Sequence, residues 1–119
     1  MLSGGHARFV SFAFCRADIL LEIDNSNVIA FAAGATGVCF DKAPETLVGT
    51  SFLELLPSED RQAIQEMIDA GRRRGKIDDL VLWLSGSRKR ELHAAISGHM
   101  VPEYGDHFFL GIKIAPPQP

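Results

Sequence analysis

Cysteine is scarce in this chain, with only Cys15 and Cys39 in 119 residues. That excludes a scaffold of several disulfides, leaves room for one bridge, and fits a reducing compartment. No run approaches the roughly 20 apolar residues that span a bilayer, so no membrane segment is expected. The apolar start Phe9-Val10-Ser11-Phe12-Ala13-Phe14-Cys15 has the composition of a signal-peptide core. It is preceded by a single arginine, Arg8, and followed closely by Asp18 and Glu22, so a secretory leader is not expected. Positive charge is not in excess: 12 basic residues stand against 15 acidic ones, a net charge of -3. A general nucleic-acid binder needs the opposite balance to neutralise phosphates. No long internal repeat is present, which excludes a solenoid.

Catalytic and metal motifs are missing too. The four histidines, His6, His93, His99 and His107, form no His-Glu-x-x-His helix, nucleophile elbow or paired-cysteine metal pattern. His93 and His99 share strand parity with His107 across the next turn, a pattern that serves a solvated sheet face more often than a three-ligand metal site. The glycine-rich spots Ser3-Gly4-Gly5 and Ala33-Gly34-Ala35-Thr36-Gly37 lack the lysine of a phosphate loop. The expectation is a protein that is not an enzyme, with a small α+β enzyme as the remote alternative.

What is present is an ordinary globular composition: 46% hydrophobic, 23% charged, mean hydropathy +0.07. A single domain of this size buries about two-thirds of its surface, enough for one core. Residues 6–16 are apolar with an ambiguous period. Phe9, Phe12 and Ala13 share a helical face, while Val10, Phe12 and Phe14 share a strand face; a short helix is favoured. Residues 17–24 predict a strand with Ile19, Leu21 and Ile23 inward and Glu22 and Asp24 on the other face. Asn25-Ser26-Asn27 turns the chain into a second strand over 28–33. Short helical pieces follow over 35–56, one opened by Pro44 and ended by Gly49. Ser58 is a candidate N-cap for the one long helix, 59–74. Its expected buried stripe is Ile64, Met67, Ile68 and Gly71, and its C-cap is Gly75. Arg72, Arg73 and Arg74 complement the negative helix end.

The last third alternates like strand. Leu80, Leu82 and Leu84 alternate with Val81 and Trp83; Leu92, Ala94 and Ile96 follow; Phe108, Leu110, Ile112 and Ile114 close the series. The result is an α+β fold: five antiparallel strands, with the helices inserted between strands 2 and 3. The helices can cover one sheet face, and residues 6–16 are available for the other. Ala115-Pro116-Pro117-Gln118-Pro119 reads as the start of a stiff linker. Arg88-Lys89-Arg90 reads as a solvated hairpin tip.

The order and spacing resemble a PAS sensory domain. The resemblance is carried by Ala17-Asp18-Ile19-Leu20-Leu21-Glu22-Ile23-Asp24 with Val28-Ile29-Ala30-Phe31. It continues from Glu45-Thr46-Leu47-Val48-Gly49-Thr50-Ser51-Phe52 through Leu53-Glu54-Leu55-Leu56-Pro57-Ser58-Glu59-Asp60-Arg61. It covers 17–114, with 1–16 as an N-terminal cap segment and 115–119 as linker. Through Phe12-Ala13-Phe14-Cys15-Arg16-Ala17-Asp18 and Phe31-Ala32-Ala33-Gly34-Ala35 the chain is further similar to the N-terminal PAS of bacterial cyclic-di-GMP signalling proteins with EAL outputs. The resemblance implies a cytoplasmic signal-transduction sensor, often dimeric, coupled to an output domain beyond residue 119.

Family cofactors are disfavoured by the same comparison. In the family, haem is commonly held by a histidine on the long helix, and 59–74 has none. Photoactive flavin members use a cysteine after the Gly49-like turn, where this chain has Thr50-Ser51-Phe52-Leu53; Cys39 lies outside that context. A non-covalently held flavin stays open. What remains is an apolar ligand pocket, with Phe31, Phe40, Leu47, Leu55, Ile64, Met67, Ile68 and Leu82 as candidate lining. The alternative is that these residues simply fill the core, leaving a ligand-free dimerisation scaffold. Phe9, Val10, Phe12 and Phe14 are the candidate homodimer interface, because an exposed cluster of phenylalanines is avoided by soluble monomers.

Overall fold

A computed structural model describes residues 18–86, 91–100 and 107–115. The cap segment with Phe9, Val10, Phe12 and Phe14, the basic tip Arg88-Lys89-Arg90 and the tail from Pro116 lie outside the described residues.

The first hairpin pairs β1 (Ile19–Ile23) with β2 (Ile29–Gly34). Asp24 organises its turn: Oδ1 accepts the backbone N–H groups of Ser26 and Val28 at 2.8 and 3.0 Å. Asn27 takes the positive φ, 64°, that asparagine tolerates better than most residues. Gly34 ends β2 at φ +100°, where an added Cβ would lie 2.3 Å from the Asp18 carbonyl oxygen. Only glycine fits that approach.

Two short helices follow, α1 (Thr36–Phe40) and α2 (Pro44–Leu47). Gly49, at φ +91°, then swings the chain back along β2. Gly49 donates to the Ile29 carbonyl at 2.8 Å and Phe52 to the Asn27 carbonyl at 2.8 Å, with a bridge between Val28 and Ser51. A 3₁₀ turn at Phe52–Leu55 is capped by Ser51, whose Oγ accepts the Leu53 N–H.

The long helix, α3, spans Arg61–Arg74. Ser58 does not cap it, contrary to the sequence expectation. Ser58–Asp60 form a separate 3₁₀ turn, and Asp60, without a side-chain cap bond, precedes the helix. The Ser58 hydroxyl is turned instead toward Glu59. Gly75 closes α3 as expected, in the left-handed conformation, with its N–H shared by the Gly71 and Arg72 carbonyls. Ile64, Ile68 and Gly71 form the buried face. Met67 is 47% exposed, so the predicted stripe is narrower by one residue.

The chain passes from Gly75 straight into β3 (Lys76–Ser85), then β4 (Glu91–Met100) and β5 (Phe108–Ile114). Strand order is β2-β1-β5-β4-β3, every pair antiparallel. The first and last strands in sequence therefore meet at the centre of the sheet. β3 begins earlier than the leucine alternation suggests, because a register shift between Ile77 and Leu80 absorbs Asp78 and Asp79. Two adjacent aspartates are poor strand formers, and pairing with β4 overrides that preference.

The core lies between the sheet and the helices. Ile19, Leu21 and Ile23 of β1 meet Leu82 and Leu84 of β3, Ala94 and Ile96 of β4, and Phe108, Leu110 and Ile112 of β5. Phe40, Leu47, Phe52, Leu55, Leu56, Ile64 and Ile68 close it from the helical side. The outer face is not uniform. At the centre Leu20, Glu22 and Phe109 are buried, whereas at the β3 edge Val81 and Trp83 are exposed. Glu22 lies on the face opposite Ile19, Leu21 and Ile23, as its alternation predicts, yet is only 3% exposed; β1 is buried on both faces, as interior strands can be.

Candidate functional site

The helix-facing side of the sheet gathers six of the eight residues singled out as pocket lining. Phe40, Leu47, Leu55, Ile64, Ile68 and Leu82 belong to one buried cluster. Phe31 and Met67 do not. Phe31 pairs with Glu22, opposite in parity to the core residues Leu21 and Ala32, so it sits half-buried on the outer face. Met67 lines a separate surface groove of about 400 Å³ between α3 and the start of β3, with Ala70, Arg74, Ile77, Asp78, Asp79, Leu80 and Val81.

Apolar residues alone make a poor binding site, because a bound molecule is oriented by a few fixed polar groups. The structure supplies such groups at one end of the cluster. Arg72 leaves α3 inward, not toward solvent with Arg73 and Arg74. Its Nη2 donates to the Asp24 carbonyl and, at 3.1 Å, to Asn27 Oδ1. Its guanidinium carbon lies 5.9 Å from the centre of the Phe108 ring. Asn27 is buried, so the hairpin turn, the long helix and β5 converge on one charged side chain. At the C-terminus of α3 the three arginines also complement the helix dipole. The signal for a different role was the spacing: Arg72 follows Ile64 and Ile68 at i+8 and i+4 and therefore shares their face.

At the other end of the first hairpin, Thr36 is fully buried and its Oγ1 has no hydrogen-bond partner among the described residues. An orphaned buried hydroxyl is costly unless a water or ligand completes it. Cys39, one helical turn further on, is buried. Burial pushes its thiol above the ordinary value of 9.0, and the nearby Asp18 carboxylate pushes the same way. That is the setting of an inert thiol, not of a nucleophile.

The outer face carries a second polar feature. Glu22 on β1 is paired with Nδ1 of His107, just before β5. A buried carboxylate needs such a partner. His93 is exposed on β4 and stacked on Trp83, ring centres 4.6 Å apart. Among the described residues no group of three or more His, Cys, Asp or Glu side chains is placed to hold a metal ion. No helix among them is long and apolar enough to cross a membrane.

No protein-family model matches the sequence, and no curated protein matches it significantly. Solved structures do match. The PAS-B domain of Drosophila melanogaster Cycle with bound ethylene glycol is 15% identical with a TM-score of 0.69, over 82% of this chain and 99% of that one. The Cronobacter turicensis RpfR quorum-sensing receptor PAS domain in complex with BDSF is 10% identical with a TM-score of 0.70, over 82% and 93%. The Rhodobacter sphaeroides LOV protein is 16% identical with a TM-score of 0.69, over 95% and 68%. Five antiparallel strands in the order β2-β1-β5-β4-β3, helices between the second and third, and these three likenesses lead to one conclusion: the chain has the PAS fold.

Proposed function

We propose that this chain is a sensory module that holds a small, largely apolar ligand on the helix-facing side of its sheet and passes the bound state to an output domain beyond Pro119. The observation that carries this reading is the apolar cluster of Phe40, Leu47, Leu55, Ile64, Ile68 and Leu82 with an inward arginine at its margin. A PAS domain in complex with BDSF and another with bound ethylene glycol support it by analogy of fold. The module is not an enzyme on this reading. It acts in the cytoplasm, within a bacterial cyclic-di-GMP signalling protein, a context that rests on the resemblance of residues 12–18 and 31–35.

Native mass spectrometry of the intact chain after bacterial expression tests it. The expected spectrum shows a single small-molecule adduct that is lost on denaturation. A bare chain, with no thermal shift on adding BDSF or flavin, would overturn the sensory reading and leave a ligand-free scaffold. A second copy is a further partner on this reading, through Phe9, Val10, Phe12 and Phe14. Sedimentation of the chain against a truncation beginning at Ala17 reads that directly. Two monomers at about tens of micromolar would remove the interface.

A further inference from the structure

The two edges of the sheet are finished differently. An edge strand directs the N–H and C=O of every second residue away from its neighbour, a template for another chain. At β2 the template is partly closed by Gly49–Phe52, which bond back to Asn27 and Ile29. At β3 the first half is blunted: Lys76, Asp78 and Asp79 carry charge, the register slips, and Asp79 stands at φ 47°. From Leu80 to Ser85 no charge, proline, glycine or bulge follows. Among the described residues, no backbone group of that half-strand bonds outside its ladder with β4. Val81 is 57% and Trp83 45% exposed on the outer face, while Leu82 and Leu84 are buried on the inner one.

We propose that Leu80–Leu84 pairs antiparallel with the same segment of a second copy, about a two-fold axis normal to the sheet, to make one continuous sheet from two. The occupant follows from the symmetry and the charges. Such an axis preserves which face a side chain occupies, so it passes through a residue and pairs outer positions with outer positions. With the axis on Leu82, Val81 of each copy faces Trp83 of the other, and Leu80 faces Leu84. The two exposed side chains thus cover each other, and the inner leucine row continues across the join. No like charges meet: the self-paired Leu80–Leu84 is uncharged, and Asp79 falls opposite the neutral Ser85. A strand pair with two aromatic–aliphatic contacts buries well under the roughly 1,600 Å² of a standard interface, so the dimer is weak. This segment is distinct in sequence from residues 6–16.

Trp83 is the sole tryptophan, so fluorescence reads the interface directly. Between about 1 μM and about 1 mM intact chain, acrylamide quenching of Trp83 is expected to fall at least about twofold, in step with a doubling of mass in sedimentation equilibrium. Val81→Lys keeps the reporter and is expected to abolish both changes. If that variant does not fold, Trp83→Lys read by sedimentation takes its place and is expected to stay monomeric. Quenching that does not change with concentration overturns the proposal, as does a dimer that survives Val81→Lys. A mass that doubles without protecting Trp83 also overturns it and assigns the dimer elsewhere. In Phe12→Ser the Trp83 response is expected to persist. If Trp83 is protected only on adding an unrelated extended peptide, the edge serves a foreign strand and self-pairing is wrong.

Discussion

Arg72 shows how a single side chain can join three elements. Its guanidinium holds the Asp24 carbonyl and Asn27 Oδ1 at the first hairpin and lies over Phe108 on β5. Arg72→Met keeps the stem but removes the charged donor from both acceptors, leaving the Asp24 carbonyl with the Asn27 N–H alone. The expected loss is about 2–4 kcal/mol in urea unfolding, because hydrogen bonds from a charged donor to part-buried acceptors are among the stronger ones. A loss near zero would return Arg72 to the role of a surface charge at a helix end. Cys39 gives a pH signature. Its thiol is raised in the folded state, chiefly by burial and then by Asp18. A raised value means the stability it contributes is fully present below the unfolded thiol's ordinary value and is lost as pH climbs through the folded one. The wild-type chain is therefore expected to lose stability relative to Cys39→Ala as pH rises above 9.0. Parallel urea midpoints for the two proteins across that range would contradict this.

Glycines separate backbone demand from crowding among the elements. Gly34 and Gly49 both sit at positive φ, yet only Gly34 has a backbone oxygen where a Cβ would go. Gly49→Ala is expected to cost about 1 kcal/mol, the strain of the left-handed region. Gly34→Ala is expected to cost at least about 2 kcal/mol more, because β1 and β2 must part to admit the methyl group. Equal denaturation midpoints for the two variants would show that the close approach relaxes freely. The elements themselves were largely legible in the sequence. Alternation in 80–84, 92–96 and 108–114, Pro44 at a helix start and Gly75 at a helix end all act locally. What was hidden depends on distant pairing. Met67 has the spacing of a core residue but faces a groove, because α3 is pressed onto β3 at Gly71, whose Cβ position is 2.4 Å from Ile77 Cγ1. Glu22 has the alternation of a surface residue but lies on β1, an interior strand buried on both faces. Phe31 looks like core until its pairing with Glu22 assigns it to the outer face. For the candidate site the apolar side was readable as a list of large residues. Arg72, Asn27 and Thr36 were not, because a polar group's partner cannot be seen until the chain folds.

For the whole molecule, cofactor chemistry can be checked by eye. No histidine lies on α3 and no cysteine follows Gly49, so the purified chain is expected to be colourless. An intense visible absorption band would make His93, His99 and His107 the next residues to test as haem ligands. The meeting of β1 and β5 at the centre of the sheet has a mechanical consequence. The chain enters the described fold at Asp18 and leaves it at Ala115. These two points are stitched together: Asp18 donates to the Ile112 carbonyl at 2.9 Å, and its carboxylate accepts the Ile114 N–H at 2.8 Å. Tension applied through the flanking segments therefore pulls the two strands apart sideways from one end. Their hydrogen bonds break one at a time, like a zipper, instead of sharing the load in shear. Single-molecule stretching from the termini is expected to open the domain at low force, with Asp18→Ala lowering it further. Stretching between Asp18 and Phe108, at opposite ends of the same strand pair, is expected to meet much higher resistance.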